Sequence, residues 1–213
     1  MTPTLARIRL NPRSRDVQRD LADAAQLHKT VMRLVPDSMG EHPRLGAGLL
    51  FRIEESSTGT DLLVQAQTAL DGSRLPAGYG TTEVRDLTPM FRSLNDGRLA
   101  RYRITANPTK RLHPTEEERA KGLPGGRLQT LTGDDALAWW QRRASDAGLE
   151  LHTAAMTQPV NARVRDKNGG RHTLTRFDGL ATVADNEALT NALLAGIGRC
   201  KSYGGGLLSL APA

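Results

Sequence analysis

One order of elements, strand-helix-strand-strand-helix-strand, can be traced twice along these 213 residues, and few architectures accommodate it. The first copy opens on "LARIRL", where Ala6, Ile8 and Leu10 alternate with Arg7 and Arg9, the two-residue period of a strand with one buried face. Asn11-Pro12 ends it. Ser14 is placed to cap a helix in which Leu21, Ala24, Leu27, Val31 and Leu34 recur at steps of three and four, an amphipathic stripe stopped near Pro36. "GLLFRIE" (48–54) and "TDLLVQAQT" (60–68) make a hairpin through the turn-rich "ESSTG". A weak helical element over 72–79 then precedes an extended "TTEVRDL" at 81–87.

The second copy follows "TPMFRSLNDG". "RLARYRITANP" (98–108) sets Tyr102, Ile104 and Ala106 against Arg101, Arg103 and Thr105. "TGDDALAWWQRRASDAG" reads as a helix, with capping and acidic residues from Thr132 to Asp135, an apolar face carrying Trp139 and Trp140, and Gly148 as the stop. "LELHTAAMT" and "ARVRDKNGGRHTLTRFDGLATV" are extended, with "KNGG" as a hairpin turn because Asn and Gly tolerate positive φ. "NEALTNALLAGIG" is the second helix and "GGLLSLAP" the last strand. Two such copies predict an α+β fold of tandem ferredoxin-like domains with RRM-like βαββαβ topology, residues 1–92 and 93–213, joined near 88–97.

Fold alone gives no function. The [KR]-G-[FY]-[GA]-F-V-x-[FY] strand on which RRM domains stack bases is missing, so RNA, if bound, must be held by charge, loops and shape. The net charge is +6 and the pI about 10.0. Basic residues gather in "RSRDVQR", "RYRITANPTKR", "RVRDKNGGR" and "GRCKS", and acids in "TEVRD", "TEEE" and "TGDD", which points to a polyanion-facing side. A scatter of solvated arginines is the alternative. No stretch approaches 18 apolar residues and "MTPTLARIRL" has no signal-peptide core, so the sequence implies a cytoplasmic protein without a membrane span. A single cysteine, Cys200, leaves no disulfide framework, and five scattered histidines leave no metal-ligand spacing, so neither metal nor small-molecule cofactor is expected.

Two features carry chemistry. His28 in "AAQLHKT" lies about 100° around the helix from Leu27, just off the apolar stripe, where an imidazole is either packed or reactive. "GIGRCKSYGGGLLSL" has five glycines around Arg199, Lys201 and Ser202. Cys200 breaks the Walker A pattern and a strand rather than a helix follows, so this is no P-loop; a loop whose backbone approaches a phosphate, with two cations beside it, fits better than a simple helix stop.

The run G-x-G-x-x-K-x-x-G-x-G-L-L-S-L, Gly196 to Leu210, resembles the signature of the RAMP-superfamily CRISPR repeat-processing endoribonucleases, and more narrowly the CasE type, the crRNA-processing subunit of type I-E Cascade. "RIRLNPRSRD", "LHK", "LLFRIE", "RYRITANPTKR" and "AWWQRR" agree in order, so the resemblance extends over nearly the whole chain. It implies a metal-independent RNase that binds the stem-loop of a CRISPR repeat transcript, cuts at the base of the stem, and keeps the crRNA within a complex of other Cascade subunits. His28 matches the family's catalytic histidine, as general acid or general base in attack of a ribose 2′-OH on its own 3′-phosphate. The family commonly has a tyrosine three residues earlier, where this chain has Ala25. Lys29 or Lys167 is the expected substitute in supporting the transition state. RNA contacts are expected from Arg33, Lys110, Arg111, Arg163, Arg165 and Arg171, and from Gly198, Arg199, Lys201 and Ser202 of the glycine-rich loop. Trp139 and Trp140 are expected in the core. Ala25 also keeps open a non-cleaving RNA-binding subunit of the same kind of complex; a ferredoxin-like small-molecule or metal domain fits the charge clusters least.

Overall fold

A computed structural model describes residues 2–36, 46–121, 127–159, 163–165 and 171–213. In the N-terminal lobe the strands β1 (Thr4–Leu10), β2 (Leu50–Ser56), β3 (Gly59–Ala66) and β4 (Gly80–Asp86) form an antiparallel sheet in the order β2-β3-β1-β4. Ala6 pairs with Val64 and Ile8 with Leu62, so the alternation in β1 puts one apolar face under the helices. Val17, Leu27, Val31 and Leu34 close over that face together with Phe51 and Tyr79.

The helix expected from Ser14 toward Pro36 is two helices, α1 (Arg15–Ala22) and α2 (Ala24–Met32). Asp23 causes the break. It is extended at φ −135°, ends α1, and its carboxylate accepts from Ala25 N at 2.8 Å as the N-cap of α2. Ser14 holds the N-cap position of α1 without a side-chain hydrogen bond. The weak element over 72–79 is a single 3-10 turn, Gly72–Arg74, and the expected joint at 88–97 carries a short helix, α3 (Thr88–Arg92), which Pro89 helps to start.

The C-terminal lobe is built on β5 (Leu99–Ala106), β12 (Thr175–Val183) and β13 (Leu208–Pro212), in the antiparallel order β13-β5-β12. The short strands β8 (Leu149–Leu151) and β9 (Ala155–Thr157) both pair with the far edge of β12. Helices α5 (Gly133–Asp146) and α6 (Asn186–Ala195) supply Trp139, Trp140, Leu189 and Leu193 to its core. Trp140 is fully buried: its ring packs 5.6 Å from Phe177, and its Nε1 donates to the Tyr102 hydroxyl at 3.2 Å, which donates to Thr153 O at 2.9 Å. Two ribbons stand off this frame: β6 (Thr109–Arg111) with β7 (Leu128–Thr130), and β10 (Arg163–Arg165) with β11 (Arg171–Thr173). A short helix, α4 (Glu116–Ala120), lies in the connection between β6 and β7.

The lobes are stitched by polar groups. Arg52, 2% exposed, donates to Leu207 O at 2.7 Å, Arg103 O at 3.1 Å and the Ser209 hydroxyl at 3.0 Å across the seam, and to Glu54 within its own strand at 2.7 Å. Burial pushes this guanidinium below its ordinary pKa and the Glu54 carboxylate pulls it back. Glu54 also holds Arg103 at 2.9 Å, and Arg103 continues to Asp178 and Arg176. Gln65 of β3 and Gln67 just beyond its end donate to Leu193 O and Leu194 O, two orphan carbonyls in the last turn of α6.

Candidate active site

The Asp23 cap sets the phase of α2. Leu27 and Val31 point inward, and His28, rotated by one residue, is half-buried at the edge of that face. Its Nδ1 is shut off from solvent, and its ring lies over Phe51 of β2 with centroids 6.4 Å apart and planes at 26°. Phe51 therefore fixes the imidazole from below while leaving one edge outward. Lys29 is exposed on the outer face of the same turn, and Arg33, the C-cap of α2, is exposed as well.

The glycine-rich segment packs against α2 through the 3-10 turn Lys201–Tyr203. Gly196 ends α6 at φ 73°, and a Cβ there would stand 2.6 Å from Leu50 Cδ2, so glycine is what lets the loop sit on β2. Several of its amides are used internally: Gly206 N donates to Thr105 O at 2.7 Å, Ile197 N to Gly206 O at 3.0 Å, and both Tyr203 N and Gly205 N to Cys200 O. Lys201, expected to face phosphate, donates Nζ to Ala195 O at 2.7 Å and so helps to cap α6. Gly198 and Arg199 are exposed, and Ser202 is half-buried within the turn.

The third component is the ribbon β10–β11, which also packs against α2. Arg163 pairs with Thr173, Val164 with His172 and Arg165 with Arg171. The side chains of Arg163, Arg165 and Arg171 and all of Lys167 lie outside the described residues. His172 stacks on Tyr203 with centroids 6.1 Å apart at 17°, tying the ribbon to the glycine-rich loop. Thus the loop and the ribbon, far apart in sequence, both meet on α2, the helix that carries His28. Lys110 and Arg111 do not join them; both are exposed on β6, beside α5.

Between the lobes opens a cavity of about 960 Å³ whose walls include Ala25, Phe51, Val164, Arg176, Tyr203 and Gly204. His28 is not part of its wall and meets it through Phe51. Ala25 stands where the family resemblance leads one to expect a phenol, and Tyr203 is the tyrosine that lines this cavity. Sequence reasoning missed Phe51, His172 and Tyr203. The available signal was scarcity: with only three Phe and three Tyr in the chain, one directly inside the glycine run merited a role. Among the described residues no group of three His, Cys, Asp or Glu could hold a metal ion, and no helix is long and apolar enough to cross a membrane.

The family model described as CRISPR associated protein matches residues 5–212. The chain is 32% identical over 224 aligned positions to the CRISPR-associated endoribonuclease Cse3 of Thermus thermophilus, covering 98% of this chain and 99% of that protein. It is 27% identical to the CRISPR system Cascade subunit CasE of Escherichia coli, over 89% of this chain and 92% of that one. Its fold is similar to the structure of Thermus thermophilus Cse3 bound to an RNA representing a pre-cleavage complex, with a TM-score of 0.83, 29% identity and full coverage of both chains.

Proposed function

The chain belongs to the CRISPR associated protein family, and from that premise we propose that it is an endoribonuclease that binds the stem-loop of CRISPR repeat transcripts, cuts once at the base of the stem without a metal ion, and retains the crRNA among other Cascade subunits. The observation that carries this reading is the packing of the glycine-rich loop and the ribbon β10–β11 on α2, the helix that carries the half-buried His28. The names of the similar proteins, an endoribonuclease and a Cascade subunit, point the same way. The N-terminal order β2-β3-β1-β4 and the C-terminal path β8-β12-β5-β13, with β9 and the two ribbons set aside, are the same second, third, first, fourth arrangement, which supports tandem ferredoxin-like domains over residues 1–92 and 93–213.

In the proposed reaction the 2′-oxygen at the junction attacks the adjacent phosphorus while its proton passes to a base. The P–O5′ bond breaks and the leaving oxygen takes a proton from an acid, giving a 2′,3′-cyclic phosphate and a 5′-OH. His28 serves one of these two transfers, with Phe51 holding the ring in place. Lys29 stands next to it for the phosphorane charge, and Lys167 belongs to the ribbon tip in this scheme. Arg163, Arg165 and Arg171 grip the stem phosphates, while Arg33, Arg199 and Ser202 line the approach to the junction. Ala25 favours a second reading, a subunit that binds the hairpin without cutting it.

Incubating the protein with a labelled repeat hairpin in EDTA decides between them. The expected result is a single cut, slowed by roughly 10²–10⁴-fold in His28→Ala with hairpin affinity unchanged. Binding without any cut by the parent protein would establish the second reading, and no binding would end both.

A further inference from the structure

A second basic surface adjoins the glycine-rich loop through Trp139, which lines it and abuts Gly198. A groove of about 530 Å³ runs between β6 and the C-terminal half of α5, with Lys110 and Arg111 on one wall and Arg142, Arg143 and Asp146 on the other. Four cations face one carboxylate, and that carboxylate is engaged by Arg143 at 3.4 Å. Like charges gathered around one groove repel, and a polyanion lying between them would relieve that repulsion. Cations in the last turns of a helix also complement its dipole, but this accounts for α5 alone and not for Lys110 and Arg111 opposite.

The groove is connected to the candidate active site. Its floor includes Trp139, over which the Arg143 guanidinium sits 5.9 Å from the ring centroid. The other end of that indole abuts the loop: a Cβ on Gly198 would come within 3.3 Å of Trp139 Cη2. Gly198 and Arg199 are exposed, so an exposed turn with a cation of its own adjoins the groove across the edge of one tryptophan. A duplex stem stands against α2 and the ribbon in the scheme above, and a cleft between a two-stranded ribbon and a single helix is shaped for one strand. Long, exposed arginines hold phosphates and lie flat on unstacked bases, which suits single-stranded RNA.

We propose that the β6–α5 groove binds the phosphates of the single-stranded RNA flanking the repeat stem-loop, carrying the chain away from His28 over Gly198 and Arg199. The site rests on the stem-loop reading above and adds Arg142 and Arg143 to the RNA contacts. It explains why Lys110 and Arg111 stand apart from α2, the loop and the ribbon: they serve the flank and not the cut.

The test compares two RNAs, a bare repeat hairpin and the same hairpin with an unpaired flank, bound to the parent protein, to Arg142→Ala/Arg143→Ala and to Arg142→Lys/Arg143→Lys. The parent should bind the flanked RNA more tightly. The alanine variant should lose about tenfold on the flanked RNA alone, with the salt slope falling by roughly 1 to 1.5 as two single-strand phosphate contacts go. The lysine variant should recover most of the loss, which separates charge from packing on Trp139. Equal losses on both RNAs would place the groove on the stem and overturn the proposal. No loss on either would also overturn it, leaving the face to an acidic protein partner. A parent protein that binds neither RNA would sink the stem-loop reading itself, whereas one that binds both equally well refutes the flank site alone.

Discussion

Arg52 and Arg199 are the same residue put to opposite uses. Arg52 is sealed in the seam between the lobes, with four hydrogen bonds and a carboxylate beside it; Arg199 stands exposed on the glycine-rich loop. A buried cation must be neutralised by its own protein, and once neutralised it offers nothing to a ligand. An exposed one is solvated cheaply, adds little to stability, and keeps its charge available for phosphate. In this molecule the seam therefore spends its cations on architecture, while Arg199 on the loop, Lys110 on β6 and Arg142 on α5 stand exposed. Lys201 lies between these extremes, on the functional loop but donating to the end of α6.

The contrast breaks most sharply at Arg52. Arg52→Met removes the donor to two carbonyls and one hydroxyl across the seam, and should lower unfolding free energy by about 3–5 kcal/mol in a denaturant titration. RNA affinity measured where the variant is still folded should be unchanged. A specific loss of binding at full foldedness would show that the seam cations also serve the ligand. Gly196→Ala comes next. The backbone there, φ 73° and ψ 156°, is one that L-residues avoid, and the new Cβ would meet Leu50 at 2.6 Å. Together these should cost about 2–3 kcal/mol.

These two positions also show what could be read from the chain before folding. The alternation in "LARIRL" and "RLARYRITA" and the Trp139–Trp140 face were legible because burial imposes period 2 on strands and a stripe on helices. The break at Asp23 was not legible, because Leu21, Ala24 and Leu27 keep their spacing through it and only the capping carboxylate reveals the change of axis. His28 could be singled out from its place beside the stripe, but the partners that make it a site could not. Phe51 reaches it from β2, while Tyr203 and His172 stack on each other beside α2 from two further segments, and no local pattern encodes that meeting. Similarly, a buried arginine in "LLFRIE" looks like any outward-facing residue of a strand until a second lobe covers it.

A smaller effect tests the seam's principle within one lobe. Tyr79 is buried and donates to the 1%-exposed Asp20 at 2.9 Å; burial, and then the adjacent carboxylate, hold its phenol well above the ordinary tyrosine range. A pKa raised in the folded state means stability that is complete below the unfolded value near 10 and falls as pH climbs past it, because only the unfolded chain then ionises. Tyr79→Phe should cost about 1–3 kcal/mol at neutral pH by depriving Asp20 of a donor, and should flatten the alkaline limb of the stability profile. An unchanged alkaline limb would show that the phenol is not what loses its proton there.

The smallest effect on folding belongs to Arg199→Ala, and it is the most informative for the reserve of exposed charge. Since this side chain is exposed on the loop, its loss should move unfolding free energy by no more than about 0.5 kcal/mol. The same change should weaken RNA binding at every sequence tested, and lower the slope of log affinity against log salt by about one unit. Cleavage at saturating protein should hardly change, because a phosphate clamp positions the strand without touching the reacting atoms. A stability loss comparable to that of Arg52→Met would mean that the loop cation is architectural after all. An unaltered salt slope would mean that RNA does not pass over this loop, and the path from His28 to the β6–α5 groove would then have no bridge.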